Sequence, residues 1–338
     1  MSSTPTAPSL ALPVLDSELE ARLRARMLEV EQALDEAVQS EARFVTDAAR
    51  HLMNAGGKRF RPLLVLLAAE TGDPYAEGVV TSACVVELTH LASLYHDDVM
   101  DEAALRRGAE SANARWDNLV AILTGDFLFS KSSEFTARLG ADAVRIQAET
   151  FTRLVEGQIL ETLGPGEDED PLEHYLRVVA GKTGSLIATS ARYGARFAGA
   201  PLEVEEALTE YGEKVGTAFQ LSDDILDIAS ESDESGKTPG TDLREGVPTL
   251  PVLYALAGDD TDASAVRLRE LLASGPLVDD ALHAEALGLL RESGAMKRAR
   301  ETVRTYAEEA RSRLAPLPQG SPRQAMESLC DFIADRTS

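Results

Sequence analysis

Cysteine is nearly absent: the 338 residues contain two, Cys84 and Cys330. Two thiols so far apart in sequence do not read as a disulfide framework, and a reducing compartment, the cytoplasm, is expected. Aromatic residues are also scarce, at 5 % with one tryptophan, and the Ala/Leu-rich remainder favours helix. No run of about 18 uninterrupted apolar residues occurs, so no transmembrane segment is expected. Positive charge is short: Lys and Arg total 33 against 57 Asp and Glu, a net charge of −24. That field works against nucleic acid and anionic lipid as partners. An anionic substrate needs local cations to enter it. The first residues, MSSTPTAPSLALPV, lack the basic start and apolar centre of a secretory signal. Residues 1–15 read as a flexible tail.

What is present points to helices. Apolar residues recur at helical spacing through two segments between Leu15 and Met53, through LLVLLAAE after Pro62, and from Val79 to Met100. GGKRFRP (56–62) breaks the first run, and Pro62 suits a first helical turn. RRGAESANARWDN reads as a polar connection. Asp170-Pro171 reads as the cap and opening of another helix. GKTGSLIATSARYGARFAGAP reads as a small-residue helix interrupted by glycine. Pro201 to Ile228 is helical, SESDESGKTPGTDLREGVPT is a long polar loop, and the remainder reads as short helices. No alternating strand pattern and no fixed repeat appear. The expectation is all-α, one domain over 16–338, with ten or more helices.

Two stretches carry the chemistry. Ser93–Gly108 reads SLYHDDVMDEAALRRG, and Gln220–Ser230 reads QLSDDILDIAS. Each spells Asp-Asp-x-x-Asp. At 100° per residue, Asp97 and Asp101 lie about 40° apart on one face, and Asp98 is rotated by about 100°. Asp223, Asp224 and Asp227 repeat that layout. Carboxylates at i and i+4 repel each other. A divalent cation removes the repulsion, and Mg²⁺ favours one or two carboxylates together with water and phosphate oxygens. One such cluster alone is more commonly a solvated helix end. Two clusters, each after an apolar helix and each before a glycine-containing loop with cations, point to a phosphate site holding several metal ions.

The cations support this. Three of six lysines, Lys58, Lys182 and Lys237, stand beside glycine in GGKRFRP, AGKTGS and SGKTPG. Glycine lets backbone approach an anion closely, and lysine supplies a point charge. Arg59, Arg61, Arg106 and Arg107 add guanidinium forks. No G-x-x-x-x-G-K-[ST] spacing exists, so neither GKT is a nucleotide loop. His90 lies two turns before Asp97 on nearly the same face, either as a core histidine or as a donor to phosphate. His96 reads as a neighbour of the cluster.

Together GGKRFRP, ELTHLASLYHDDVMDEAALRRG, GDFLFS, GKTGSL, FQLSDDILD and GKTPGTDLREGVPTLP resemble the trans-isoprenyl diphosphate synthases, or polyprenyl synthetases, over about residues 54–256. The resemblance implies an isoprenoid synthase-type helical bundle around a deep central cavity, usually a homodimer. It implies condensation of isopentenyl diphosphate onto an allylic diphosphate with Mg²⁺, three ions bound together with diphosphate. Carried over by position, Lys58, Arg61, His90 and Arg107 bind isopentenyl diphosphate. Arg106, Lys182 and Lys237 bind the allylic diphosphate. Thr183 and Gln220, with Lys182, face the reacting carbons. Asp97, Asp101 and Asp223 ligate Mg²⁺, with Asp98, Asp224 and Asp227 in the same acidic sets. Some members carry a further lysine where this chain has Val247; Arg244 is the available substitute.

Chain length is read along the helix that carries Asp97. Ser93 lies one turn below it and Val86 about three turns below, on the same face. In the resembling family, bulky aromatics at the positions of Ala92 and Ser93 accompany short products. Both are small here, so a product of C30 to C45 is expected, with C20 as the alternative. Tyr95 points to another side, and Phe127, Phe129 and Phe135 are candidates for a floor. A terpene cyclase, a non-catalytic regulatory subunit and a helical metal-binding protein are the rival readings. The intact second cluster and the set Lys58, Arg61 and His90 argue against the first two. The lack of repeated Glu-x-x-His pairs argues against a diiron site.

Overall fold

A computed structural model describes residues 16–230, 239–259 and 261–337. The expected 1–15 tail lies outside the described residues, as does Lys237.

In chain order the elements are α1 (Ser17–Ala37), α2 (Arg43–Asn54), α3 (Phe60–Ala69) and α4 (Glu77–Met100), then strands β1 (Leu105–Arg106) and β2 (Ala109–Glu110). There follow α5 (Ala112–Arg115), α6 (Asn118–Leu139), α7 (Ala141–Leu163), α8 (Pro171–Val179), a π-helical turn (Ala180–Gly184) and α9 (Ser185–Phe197). The chain continues with α10 (Leu202–Ala229), α11 (Thr241–Glu245), α12 (Leu250–Leu256), α13 (Ala263–Ala273), α14 (Asp280–Glu292), α15 (Gly294–Arg313) and α16 (Ser321–Asp335). The fold is all-α. The polar connection after α4 differs from expectation: it holds an antiparallel pair, Leu105 with Glu110 and Arg106 with Ala109, and the short α5. Two-residue strands are too short to show alternation. The long polar loop contains α11, and the C-terminal part includes the 20-residue α15.

The chain sorts into two compact units. The first holds the described residues up to Thr152, with Leu186–Gly212 and Arg313–Ser328. α4 runs through its core against α1, α3 and α6. α4 is the one described helix long and apolar enough to cross a membrane, but 67 % of its apolar window is buried within the protein, as in a core helix. The hydroxyl of Tyr95 donates to Ala48 O at 2.5 Å and accepts from Leu52 N at 3.2 Å, fastening α4 to α2. On another side α6 comes close because Gly125 has no side chain: a Cβ there would sit 2.3 Å from His96 Nε2.

The second unit holds Arg153–Ser185, Glu213–Ser312 and the described residues from Leu329. Asp170 caps α8, accepting from Leu172 N at 2.9 Å, and Pro171 opens the helix as its spacing predicts. α15 presents Ala295, Met296, Ala299, Val303, Ala307 and Ala310 inward. That narrow stripe sits among charges, which hides the helix's length in sequence.

Candidate active site

In the first unit, the GGKR break turns the chain into α3 through a left-handed Arg59 at φ 46°. Its guanidinium is fixed by Glu31 at 2.6 Å, Glu87 at 3.2 Å and Met53 O at 3.1 Å. Arg59 is therefore a structural pin. Lys58, beside it, is exposed. Glu87 is fully buried in α4, and an acid in so apolar a helix is itself a sign of a buried partner.

Around that pin three predicted side chains gather. Arg61 buries its Nε without a hydrogen-bond partner. Burial lowers its pKa to about 10; Arg107 adds to the shift and Glu87 opposes it. Arg107 is left-handed at φ 55° and donates to Leu52 O at 3.1 Å and to Gly56 O. Gly57 makes room for it, since a Cβ there would lie 2.6 Å from Arg107 Nη1. His90 is held well below the ordinary histidine value, first by burial and then by Arg61, Arg107, Arg59 and Arg106. It is a neutral imidazole among guanidiniums, and such an excess of donors suits an anion with several oxygens.

The first acidic cluster closes α4. Asp101 N bonds to Asp97 O at 2.8 Å, so the one-turn spacing survives to the helix end. Asp98 is fully buried. Its Oδ1 accepts from Arg106 Nε at 2.6 Å, while its Oδ2 is buried without a partner. Burial raises its pKa against the pull of Arg106. Asp97 is half-buried, and the exposed Asp101 lies 3.9 Å from Arg106 Nη2.

Ser93 is half-buried, bonds to His90 O at 2.9 Å and shares the face of His90 and Asp97. Ala92 belongs to a different stripe. It is fully buried, on the side where Thr89 meets Ser132 at 2.8 Å and His96 meets Ile122 O at 3.1 Å. His96 thus turns to α6. Phe129 stacks between His96 at 5.5 Å and Phe151 at 4.6 Å. Phe127 and Phe135 lie under Lys131 and Arg138.

The second unit gathers the other set. The π-turn widens the helix at AGKTG, a departure that often marks a functional site. It packs close to α7, because a Cβ on Gly157 would stand 2.7 Å from Lys182 N. Lys182 Nζ pairs with Glu161 at 2.5 Å. Thr183 donates to Gln220 Oε1 at 3.2 Å, and Gln220 Nε2 donates to Asp224 Oδ1 at 2.9 Å. Tyr175 donates to Asp224 Oδ2. Burial lifts the Asp224 carboxyl to about 6, against its hydrogen bonds from Tyr175 and Gln220. Asp223 is exposed and meets Arg336 at 2.6 Å. Asp227 accepts from Thr241 N at 3.3 Å and Asp242 N at 3.2 Å, gripping the far end of the loop. Arg244 pairs with Asp280 at 2.8 Å, and Val247 is exposed. Glu87, Tyr175 and Arg336 were not found from sequence. Tyr175 and Arg336 stand 49 and 113 residues from their aspartates, with no local pattern linking them.

The helical fold, with an Asp-Asp-x-x-Asp cluster at the end of α4 and another at the end of α10, is that of the prenyltransferases. Residues 42–287 match the family model for polyprenyl synthetases. The chain is 51 % identical to the nonaprenyl diphosphate synthase of Mycobacterium tuberculosis, over 98 % of this chain and 99 % of that protein. It superimposes with a TM-score of 0.87, at 48 % identity, on geranylgeranyl pyrophosphate synthase from Corynebacterium glutamicum complexed with calcium and isoprenyl diphosphate, covering 96 % of this chain and 99 % of that one. A decaprenyl diphosphate synthase from Rhodobacter capsulatus gives 0.86 at 33 % identity, covering 95 % and 99 %. The chain belongs to the polyprenyl synthetase family.

Proposed function

We propose that this chain is an all-trans polyprenyl diphosphate synthase, which ionises an allylic diphosphate and condenses it head-to-tail with isopentenyl diphosphate. The observation that carries this reading is the half-buried set of guanidiniums gathered around His90. A terpene cyclase, which takes one diphosphate, has no use for a second anion site built from Arg61, His90 and Arg107.

In this reading Lys58, Arg61, Arg107 and neutral His90 hold isopentenyl diphosphate. Arg106, Lys182 and Lys237 hold the allylic diphosphate, Arg106 and Lys182 exchanging Asp98 and Glu161 for phosphate oxygens. Thr183 and Gln220 line the reacting carbons and offer oxygen lone pairs to the developing allylic cation. The alkene of isopentenyl diphosphate attacks that cation, and the released diphosphate takes the proton then lost. Fixing both substrates supplies much of the acceleration.

The carboxylates fit Mg²⁺. Their oxygens are hard donors, each cluster offers a pair one turn apart, and Asp98 Oδ2 is buried and unpartnered. Among the described residues no three His, Cys, Asp or Glu converge as a closed cage. In our reading three ions would be held by these carboxylates together with diphosphate. Bound there, Mg²⁺ supplies the charge that stabilises a departing diphosphate. Asp97, Asp101 and Asp223 are assigned as ligands, with Asp98, Asp224 and Asp227 beside them.

The product is assigned to C30–C45. Small Ser93 on the Asp97 face supports this, as does the end-to-end match to a nonaprenyl synthase. The 48 % identity to a geranylgeranyl synthase keeps C20 as the second reading. Residues 16–338 are assigned to one catalytic domain in a cytoplasmic homodimer. Exposed Leu119, Ile122 and Leu123 on α6 support the dimer, which sedimentation would check. The test of the main reading is incubation with labelled isopentenyl diphosphate, C10, C15 and C20 allylic diphosphates and Mg²⁺, followed by chain-length analysis. Products of C30–C45 are expected. Arrest at C20 favours the second reading, and conversion of primer without isopentenyl diphosphate favours a cyclase.

A further inference from the structure

Gln220 has an amide whose two ends differ in chemistry, and a prenyl cation tolerates only one of them nearby. The oxygen end is electron-rich; the NH₂ end carries partial positive charge and repels a cation. Which end faces the reacting carbons depends on what holds the amide. A carboxylate only accepts hydrogen bonds. Gln220 Nε2 donates to Asp224 Oδ1 at 2.9 Å, so its Oε1 must face Thr183, which donates to it at 3.2 Å. Asp224 in turn is fixed by the Tyr175 hydroxyl on its other oxygen. All four side chains belong to one compact unit.

We infer that Tyr175 is a positioning residue. Through Asp224 it locks the Gln220 amide with its oxygen, rather than its NH₂, toward Thr183 and the forming allylic cation. This rests on the prenyl-transfer reading above. Tyr175 touches no substrate. Its effect is exerted on the step that develops positive charge and not on diphosphate binding.

The test uses the full chain with isopentenyl diphosphate, a C15 allylic diphosphate and Mg²⁺. Tyr175→Phe removes the hydroxyl and keeps the ring. We expect kcat to fall about tenfold with both KM values within about twofold, the pattern of an interaction made in the transition state. Gln220→Ala should lower kcat by a similar or larger factor. Adding Tyr175→Phe to Gln220→Ala should lower it no further, because the two act as one unit. Asp224→Asn, whose amide disrupts the same hydrogen-bond direction, should likewise be non-additive with Tyr175→Phe and keeps the test open should the phenylalanine variant misfold. Multiplicative losses in the double variants would overturn the inference. So would a raised KM for the allylic substrate at unchanged kcat, or an unaltered Tyr175→Phe enzyme. A wild-type chain that consumes no isopentenyl diphosphate would instead overturn the prenyl-transfer reading itself.

Discussion

The same Asp-Asp-x-x-Asp spelling ends α4 and closes α10, and the two copies have been given different neighbours. In both, the middle aspartate turns inward: Asp98 is 0 % exposed and Asp224 8 %. That is the common consequence of helix geometry. The partners then diverge. Asp98 meets a guanidinium, Arg106, and keeps one oxygen unpartnered. Asp224 meets only neutral donors, Tyr175 and Gln220, and both its oxygens are engaged. The outer aspartates diverge too. Asp101 stands near Arg106, whereas Asp227 grips the backbone of a returning loop. A repeated motif thus sets which carboxylates point outward, and its surroundings decide what the inward one does.

The strongest way to break the comparison is to delete an outward carboxylate from each copy. Asp97→Ala and Asp223→Ala should each lower kcat by about a thousandfold, on the scale of losing a preorganised electrostatic stabiliser. Product formation at saturating Mg²⁺ checks this. A deep loss in one variant and a mild loss in the other would assign the ions to a single cluster.

A second contrast is between a cation whose buried Nε has no partner, Arg61, and one already held in an ion pair, Arg336. Arg61→Gln should raise KM for isopentenyl diphosphate about 10- to 100-fold, as expected for losing a charged hydrogen bond of about 1.5–3 kcal/mol. The KM for the allylic diphosphate should hardly change. Arg336→Gln breaks a pair whose aspartate side chain is 46 % exposed, and should change kinetics by less than about threefold. Steady-state kinetics with each substrate varied in turn separates the two.

The paired small residues on α4 divide in the same manner. Ser93→Phe lies on the Asp97 face and should shorten the product while turnover continues. Ala92→Phe drives a ring into fully buried packing against α6, and should cost about 1–3 kcal/mol of stability. Chain-length analysis beside thermal unfolding tests both. Shortening by Ala92→Phe in a stable protein would mean that the tail passes between α4 and α6.

Much of this layout was legible because helical periodicity is a local signal. The ends of α4 and α10, the Asp170 cap and the outward pairing of Asp97 with Asp101 all follow from residues within a few turns. The π-turn was not legible, since GKTG reads equally as an interrupted α-helix. Nor were the hairpin at Leu105–Glu110 and α11, which are too short for a period to show. Least legible were the ties that give each aspartate its environment. Tyr175 reaches Asp224 across 49 residues, and Arg59 finds Glu87 across 28. These are products of packing, which no spacing announces.

The finest distinction is between a carboxylate held by charge and one held by neutral donors, and pH reads it. Asp224 sits at about 6 in the folded chain, above the ordinary value near 3.9. The folded state therefore holds this proton more tightly than the unfolded chain. The stabilisation it gives is fully present below about pH 4 and is lost as pH rises through 6. Asp224→Asn has no such proton. Relative to that variant, the wild type should lose about 2 kcal/mol between pH 4.5 and 7.5, the larger part of the roughly 3 kcal/mol that a shift of about two pKa units carries. Asp98→Asn should behave differently. It strips Arg106 of a buried counter-ion, so it should be less stable than wild type at pH 7 by about 1–3 kcal/mol. Urea denaturation of both variants across this range measures the contrast. Parallel curves for wild type and Asp224→Asn would mean that the hydrogen bonds from Tyr175 and Gln220 fully offset the burial of the Asp224 carboxylate.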